Sequence, residues 1–156
     1  MSYEKSNAFV GLGLVLSIGN GASPIVYTEI GEVRGVPTAP GFKNDTTDVT
    51  NVQSVGGVKE FLATLTDPGE VAFSVNLVPG DAGQQALIAA GLSRTRTPFQ
   101  LTLPPESVET PGDVPGYWLF TALVTEYQPE IPLDKEASAS IKLKISGLAT
   151  WVPEAV

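Results

Sequence analysis

Two pairs of acids carry the spacing best suited to catalysis, Glu29 with Glu32 and Glu126 with Glu130. Paired carboxylates cleave glycosidic bonds when they stand on opposite faces of a sugar. Acids on extended chain are ordinarily solvated charges, and nothing in the spacing places either pair across a cleft. Tyr117, Trp118, Phe120 and Tyr127 could form a sugar-stacking platform, although alternating aromatics in a strand more commonly belong to a core. The run "KNDTTD", Lys43 to Asp48, gathers oxygen ligands but lacks the alternate acids, the glycine and the distal Glu of a calcium loop. "GLG" at Gly11 hints at a dinucleotide fingerprint and fails, because Leu16 takes the third glycine's place and no helix follows. "NDT" at Asn44 is formally a glycosylation sequon, without a secretory context to give it meaning.

The absences exclude more. The chain has no His and no Cys. This removes Ser-His-Asp and Cys-His nucleophiles, thiolate metal sites and disulfides. No catalytic, cofactor-binding or metal-binding residue is assigned, and no cofactor is expected. A net charge of -8 leaves no basic footprint for holding phosphates.

At 156 residues, with 42% hydrophobic and 17% charged side chains, the chain reads as one globular domain. Its 13 Pro and 16 Gly lie between apolar runs, which suits a β-rich fold with many turns. The run "AFVGLGLVLSIGNGAS" is too short for a membrane span. As a signal-peptide core it is also unsuitable, since Glu4 cancels Lys5 and Asn20 is a poor −3 residue for cleavage after Ala22. No membrane insertion is expected.

Read as a strand, that run points Leu12, Leu14, Leu16 and Ile18 one way, and Gly11, Gly13, Val15 and Ser17 the other. "PIVYTEIGEVRGV" reads as a second strand, bulged at Gly31. Residues 37–57 read as a long polar loop, with "TTDVTNV" as a possible edge strand. "VKEFLATL" is a short apolar run and "TDPGE" a turn. "EVAFSVNL" alternates, with Val71, Phe73, Val75 and Leu77 on one face. Asp81 then stands as an N-cap with Gln84 three residues on, and Gly91 as the stop of a helix of about ten residues. That helix is too short to be stable alone and must dock, through Ala86, Leu87 and Ala90. "TPFQLTL" is a strand, "PPESVETPGDVPG" an extended loop, and "YWLFTALVTEYQ" a long strand apolar on both faces. "ASASIKLKISGLATW" sends Ala139, Ile141, Leu143 and Ile145 inward. The sum is a mainly β fold, an antiparallel sandwich or small barrel with one short flanking helix.

The order of these motifs resembles the major tail tube proteins of long-tailed bacteriophages. The resemblance lies in "TEIGEV", then "PGFKNDTTDVTN", then "GGVKEFLATLTDPGEV", then "VPGDAGQQAL" opening the helix, from about Tyr27 to Leu87. Beyond that it is one of element order. It implies a β-sandwich with a flanking helix, without catalytic residues or a cofactor. Six copies would form a ring, and rings would stack into a hollow tube that conducts the genome out of the capsid. Implied partners are other copies of the chain, the tape measure, the tail terminator and the initiator complex. DNA would pass without specific binding, and the tail would be assembled in the bacterial cytoplasm. On this reading residues 1–156 form a single domain with an N-terminal arm (1–7), the polar loop (37–57) and a C-terminal tail (151–156). Candidate contacts between subunits or rings are Tyr3, Phe9, Phe42, Lys43, Asp45, Asp48 and Trp151, with Asp81 serving the fold as N-cap. A secreted carbohydrate-binding or adhesin-like sandwich is the alternative, and a hydrolase using paired carboxylates a third.

Overall fold

The structure is a computed structural model that describes residues 8–108 and 112–153. Its strands are β1 (Val15–Gly19), β2 (Tyr27–Glu29), β3 (Val33–Thr38), β4 (Lys43–Asp48), β5 (Phe61–Asp67), β6 (Glu70–Asn76), β7 (Thr97–Thr102), β8 (Tyr117–Glu130), β9 (Ser138–Ile145) and β10 (Thr150–Val152). One helix, α1 (Ala82–Ser93), follows β6. Every strand pairing is antiparallel.

Eight strands share one hydrogen-bonded sheet in the order β2-β1-β7-β8-β9-β6-β3, with β10 added to β8. β2 and β3 are therefore at opposite ends of the path, yet only Ile30, Gly31 and Glu32 join them. The sheet must roll until its two ends meet, and the link is stitched to both. Ile30 N–H donates to the Leu16 carbonyl at 2.9 Å, and Asn76 N–H to the Glu32 carbonyl at 3.0 Å. Rolling turns one face of every strand inward. Leu16, Ile18, Val71, Phe73, Val75, Phe99, Leu101, Phe120, Ile141 and Leu143 meet there in a single core. Phe99 and Phe120 stack at its centre with ring centroids 5.6 Å apart. This is the mainly β sandwich with one short helix that the alternation predicts.

Three local expectations are corrected. "PIVYTEIGEVRGV" is not one bulged strand but β2 and β3 on opposite edges. Asp81 Oδ2 captures Gly31 N–H at 3.0 Å and Glu32 turns to a φ of 54°, so the chain rounds a corner. The first strand begins only at Val15, because Gly13 takes a φ of 97°. Leu16 and Ile18 are buried as expected, whereas Leu12 is exposed. The helix runs two residues past Gly91 to Ser93 and ends at Arg94, which adopts the left-handed φ of 56°. Gly91 serves packing instead of stopping the helix, since a Cβ there would stand 3.2 Å from Val124 Cγ1.

Asp81 is the N-cap, accepting Gln84 N–H at 2.9 Å. The Gln84 side chain does not return to the cap. It lies buried, donates to the carbonyls of Gly31 at 2.9 Å and Asn76 at 3.0 Å, and accepts Val78 N–H at 3.1 Å. One amide thus ties α1 to the corner and to the end of β6. Gly83 lets the helix start press against β2, where a Cβ would overlap the Glu29 carbonyl. Leu87 enters the core, with Ala86 and Ala90 packed beside it.

Candidate interaction surface

The segment expected as a polar loop with an edge strand at "TTDVTNV" holds its strand slightly earlier, as β4. β4 pairs with β5 in a two-stranded sheet of its own, and the two pack essentially on each other alone. From Gly41 through Asp67 every residue except Ser54 is exposed. The polar residues close this hairpin arm. Asp48 Oδ1 accepts Thr50 N–H at 2.9 Å, Thr50 Oγ1 accepts Glu60 N–H at 2.8 Å, and Ser54 Oγ donates to Glu60 Oε2 at 2.8 Å. Asn51 Oδ1 accepts Gln53 N–H at 2.8 Å. The Thr50 hydroxyl and amide together hold the Asp48 carboxyl below its ordinary pKa.

The apolar residues of the arm have no such partners. Val52, Val55, Val58, Phe61, Leu62 and Leu65 are all exposed, Val52 completely at 104% and Val55 at 88%. Along β5, Phe61 and Ala63 share one face and Leu62 the other, and the register slips by one residue between Ala63 and Thr66, beside Leu65. A hairpin that exposes this much apolar surface is a candidate contact surface. "VKEFLATL" reads in sequence as an ordinary apolar run. The signal that could have separated it from the core is the Pro-Gly pair at each end of the segment, Pro40–Gly41 and Pro68–Gly69. "TDPGE" is accordingly not a reversal. It is a break between β5 and β6, with Gly69 at a φ of 84°.

The candidate contact residues fall in several places. Tyr3 lies outside the described residues, as do residues 1–7 and 154–156 of the expected N-terminal arm and C-terminal tail. Phe9 is exposed ahead of β1. Lys43, Asp45 and Asp48 are exposed on β4, where Lys43 stands across from Asp67. Trp151 is not in a loose tail but in β10, 4.5 Å from Trp118 between ring centroids. Phe42, at the root of the arm, and Trp151 line one open apolar groove with Pro40, Trp118 and Leu148. Phe42 and Trp151 are thereby brought together, while Phe9 is not part of that groove.

The residues that could do chemistry are otherwise engaged or dispersed. Glu126 pairs with Lys142 at 3.5 Å. Asn44 Oδ1 accepts the Thr66 hydroxyl at 2.7 Å across the hairpin. Among the described residues no three His, Cys, Asp or Glu side chains gather as a metal site. Of the aromatics, Phe120 is in the core, and Trp118 and Tyr127 pack against it. Among the described residues no helix is long and apolar enough to cross a membrane.

No curated protein sequence matches. The chain is similar in fold to a protein in the virion of a native gene transfer agent particle, with 16% identity and a TM-score of 0.67 over 93% of this chain and 99% of that one. A chain in the tail of an empty gene transfer agent particle refined with C6 symmetry gives 17% identity and a TM-score of 0.67 over 93% and 99%. The SPP1 tail tube gives 13% identity and a TM-score of 0.67 over 96% of this chain and 81% of that one. The family model for the lambda phage tail tube protein matches residues 15–152, which takes in the rolled sheet, the capped helix and the whole exposed arm. The chain belongs to the lambda phage tail tube protein family, and is a structural subunit of a virion tail.

Proposed function

We propose that six copies of this chain close into a ring and that rings stack into a hollow tube through which double-stranded DNA leaves the particle. The subunit acts without catalysis and without a cofactor. The observation that carries this reading is the hairpin arm, whose apolar side chains find no cover among the described residues and are available to another copy. An arm on one part of the molecule that binds elsewhere on the next copy makes a heterologous contact, which closes into rings or extends into filaments. The C6 tail of the gene transfer agent supports six as the ring number.

Charge supports the conduit. Lys142 and Lys144 are paired within the chain to Glu126 and Asp67, at 3.5 Å and 3.6 Å. Each therefore stands beside a carboxylate that offsets its charge. With a net charge of -8 per copy, an acidic or neutral bore lets DNA slide without adhering. Assembly takes place in the host cytoplasm, with the tape measure, terminator and initiator as partners.

The test is electron microscopy of concentrated protein with sedimentation of dilute protein. The expected result is a concentration-dependent passage from subunits to rings of six and hollow tubes. A persistent monomer that binds glycans saturably would replace this reading with a carbohydrate-binding sandwich.

A further inference from the structure

The hairpin arm leaves the body through a break at the same level on both strands. Thr38 lies across from Ala72 on the body side, and Lys43 across from Asp67 on the arm side. The spacing across the break is equal on the two strands, so the register is unchanged. In that register Gly41 stands across from Gly69, and each follows a proline, Pro40 or Pro68. Proline donates no ladder hydrogen bond, and Gly69 adopts a φ of 84°, closed to most other residues. No ladder pair forms between the two ends of the break. A hairpin interrupted in this way bends there as a unit.

One side chain spans the break. Asp67 Oδ1 accepts Gly69 N–H at 2.8 Å, and Lys144 Nζ on β9 stands 3.6 Å from the same oxygen. The Gly69 carbonyl accepts Ile145 N–H at 3.2 Å. The last residue of the arm strand is thereby tied to β9 of the body, both directly and through Gly69.

We propose that Pro40–Gly41 and Pro68–Gly69 form an elbow, and that Asp67 is the positioning residue that sets the angle of the arm to the body. The groove beneath the elbow moves with it. Phe42 and Pro40 line it from the arm side and Trp118 and Trp151 from the body, and these are the only two tryptophans of the chain. Tryptophan emission therefore reports the elbow. A consequence for the rate of tube growth rests on the proposed function. The angle itself does not, because it is measured on the isolated subunit.

The chain has no cysteine, so V52C at the arm tip and S140C on the outer face of β9 accept spin labels uniquely. The parent is expected to give one narrow distance distribution. Asp67→Ala is expected to widen it about two-fold and to shift tryptophan emission, with an unchanged melting midpoint of the body. Asp67→Asn keeps an acceptor for Gly69 N–H but faces Lys144 without charge, and falls between. A Cβ on Gly41 would meet open space, so Gly41→Ala is tolerated and narrows the distribution. A parent width retained in Asp67→Ala would overturn the proposal. So would a widening accompanied by a lowered melting midpoint, since general loosening would then account for it.

Discussion

At the scale of single residues, the junction between the corner and the helix depends on Asp81 and Gln84. Asp81 accepts two amides, from Gln84 at 2.9 Å and Gly31 at 3.0 Å. Asp81→Ala removes the cap, worth about 1 kcal/mol, and also strands the Gly31 amide, so a loss of about 2 kcal/mol is expected in urea unfolding of the subunit. Failed tube assembly with unchanged subunit stability would show that Asp81 acts at an interface instead. Gln84→Met keeps the volume but leaves Val78 N–H and the carbonyls of Gly31 and Asn76 without their partner. The expected loss is larger, about 2–4 kcal/mol. A smaller loss for Gln84→Met than for Asp81→Ala would mean that water replaces the amide. The cap was legible from spacing alone, because an N-cap acts within one turn. The true role of Gln84 was not, since its partners at Gly31 and Asn76 become neighbours only after the sheet rolls.

At the scale of elements, strands that bury one face in their own core were legible, while β5, the apolar half of the arm, was not. The inward positions of β6 and β9 follow from alternation, because core burial imposes a period of two on each. β5 lacks that constraint, since it is covered on neither face by the described residues. Local pattern cannot distinguish an apolar run buried by its own chain from one awaiting another copy. Likewise, Thr50, Asn51 and Ser54 read as loop residues, but they satisfy backbone groups at the arm tip. Phe61→Ser with Leu65→Ser is expected to leave subunit stability within about 0.5 kcal/mol, because both are already exposed, while abolishing polymerisation. Tubes at parental yield would remove the arm from the interface. Acid tests the same element. The Asp67 carboxyl lies below its ordinary value of 3.8, chiefly through Gly69 N–H and then through the charge of Lys144, with Lys43 contributing least. A depressed carboxylate contributes above its unfolded pKa and loses that contribution only as pH falls through the folded value. Arm geometry is therefore expected to be constant from about pH 7 to pH 5 and to loosen below 3.8. Loosening already near pH 6 would point to a different group.

At the scale of the whole molecule, assembly sets apolar attraction against like charge. Each copy carries a net charge of -8, and the ion pairs Lys142–Glu126, Lys144–Asp67 and Arg34–Glu136 use cations within the chain. Copies that approach one another consequently repel at long range, while the exposed valines, leucines and phenylalanine of the arm favour contact once they meet. Salt acts on the first effect and scarcely weakens the second. The screening length falls from about 10 Å at 0.1 M to about 3 Å at 1 M, shorter than the span of an exposed surface. Tube growth, followed by light scattering with microscopy to confirm tubes, is therefore expected to accelerate as salt rises over that range. If ion pairs between copies held the interface, the same salt would slow growth, because exposed pairs weaken on screening. The Phe61→Ser, Leu65→Ser subunit separates the terms further. It retains the charge and loses the apolar contact, so salt is expected to leave it monomeric. Growth restored to that variant by salt would show that charge alone, and not the arm, keeps the copies apart.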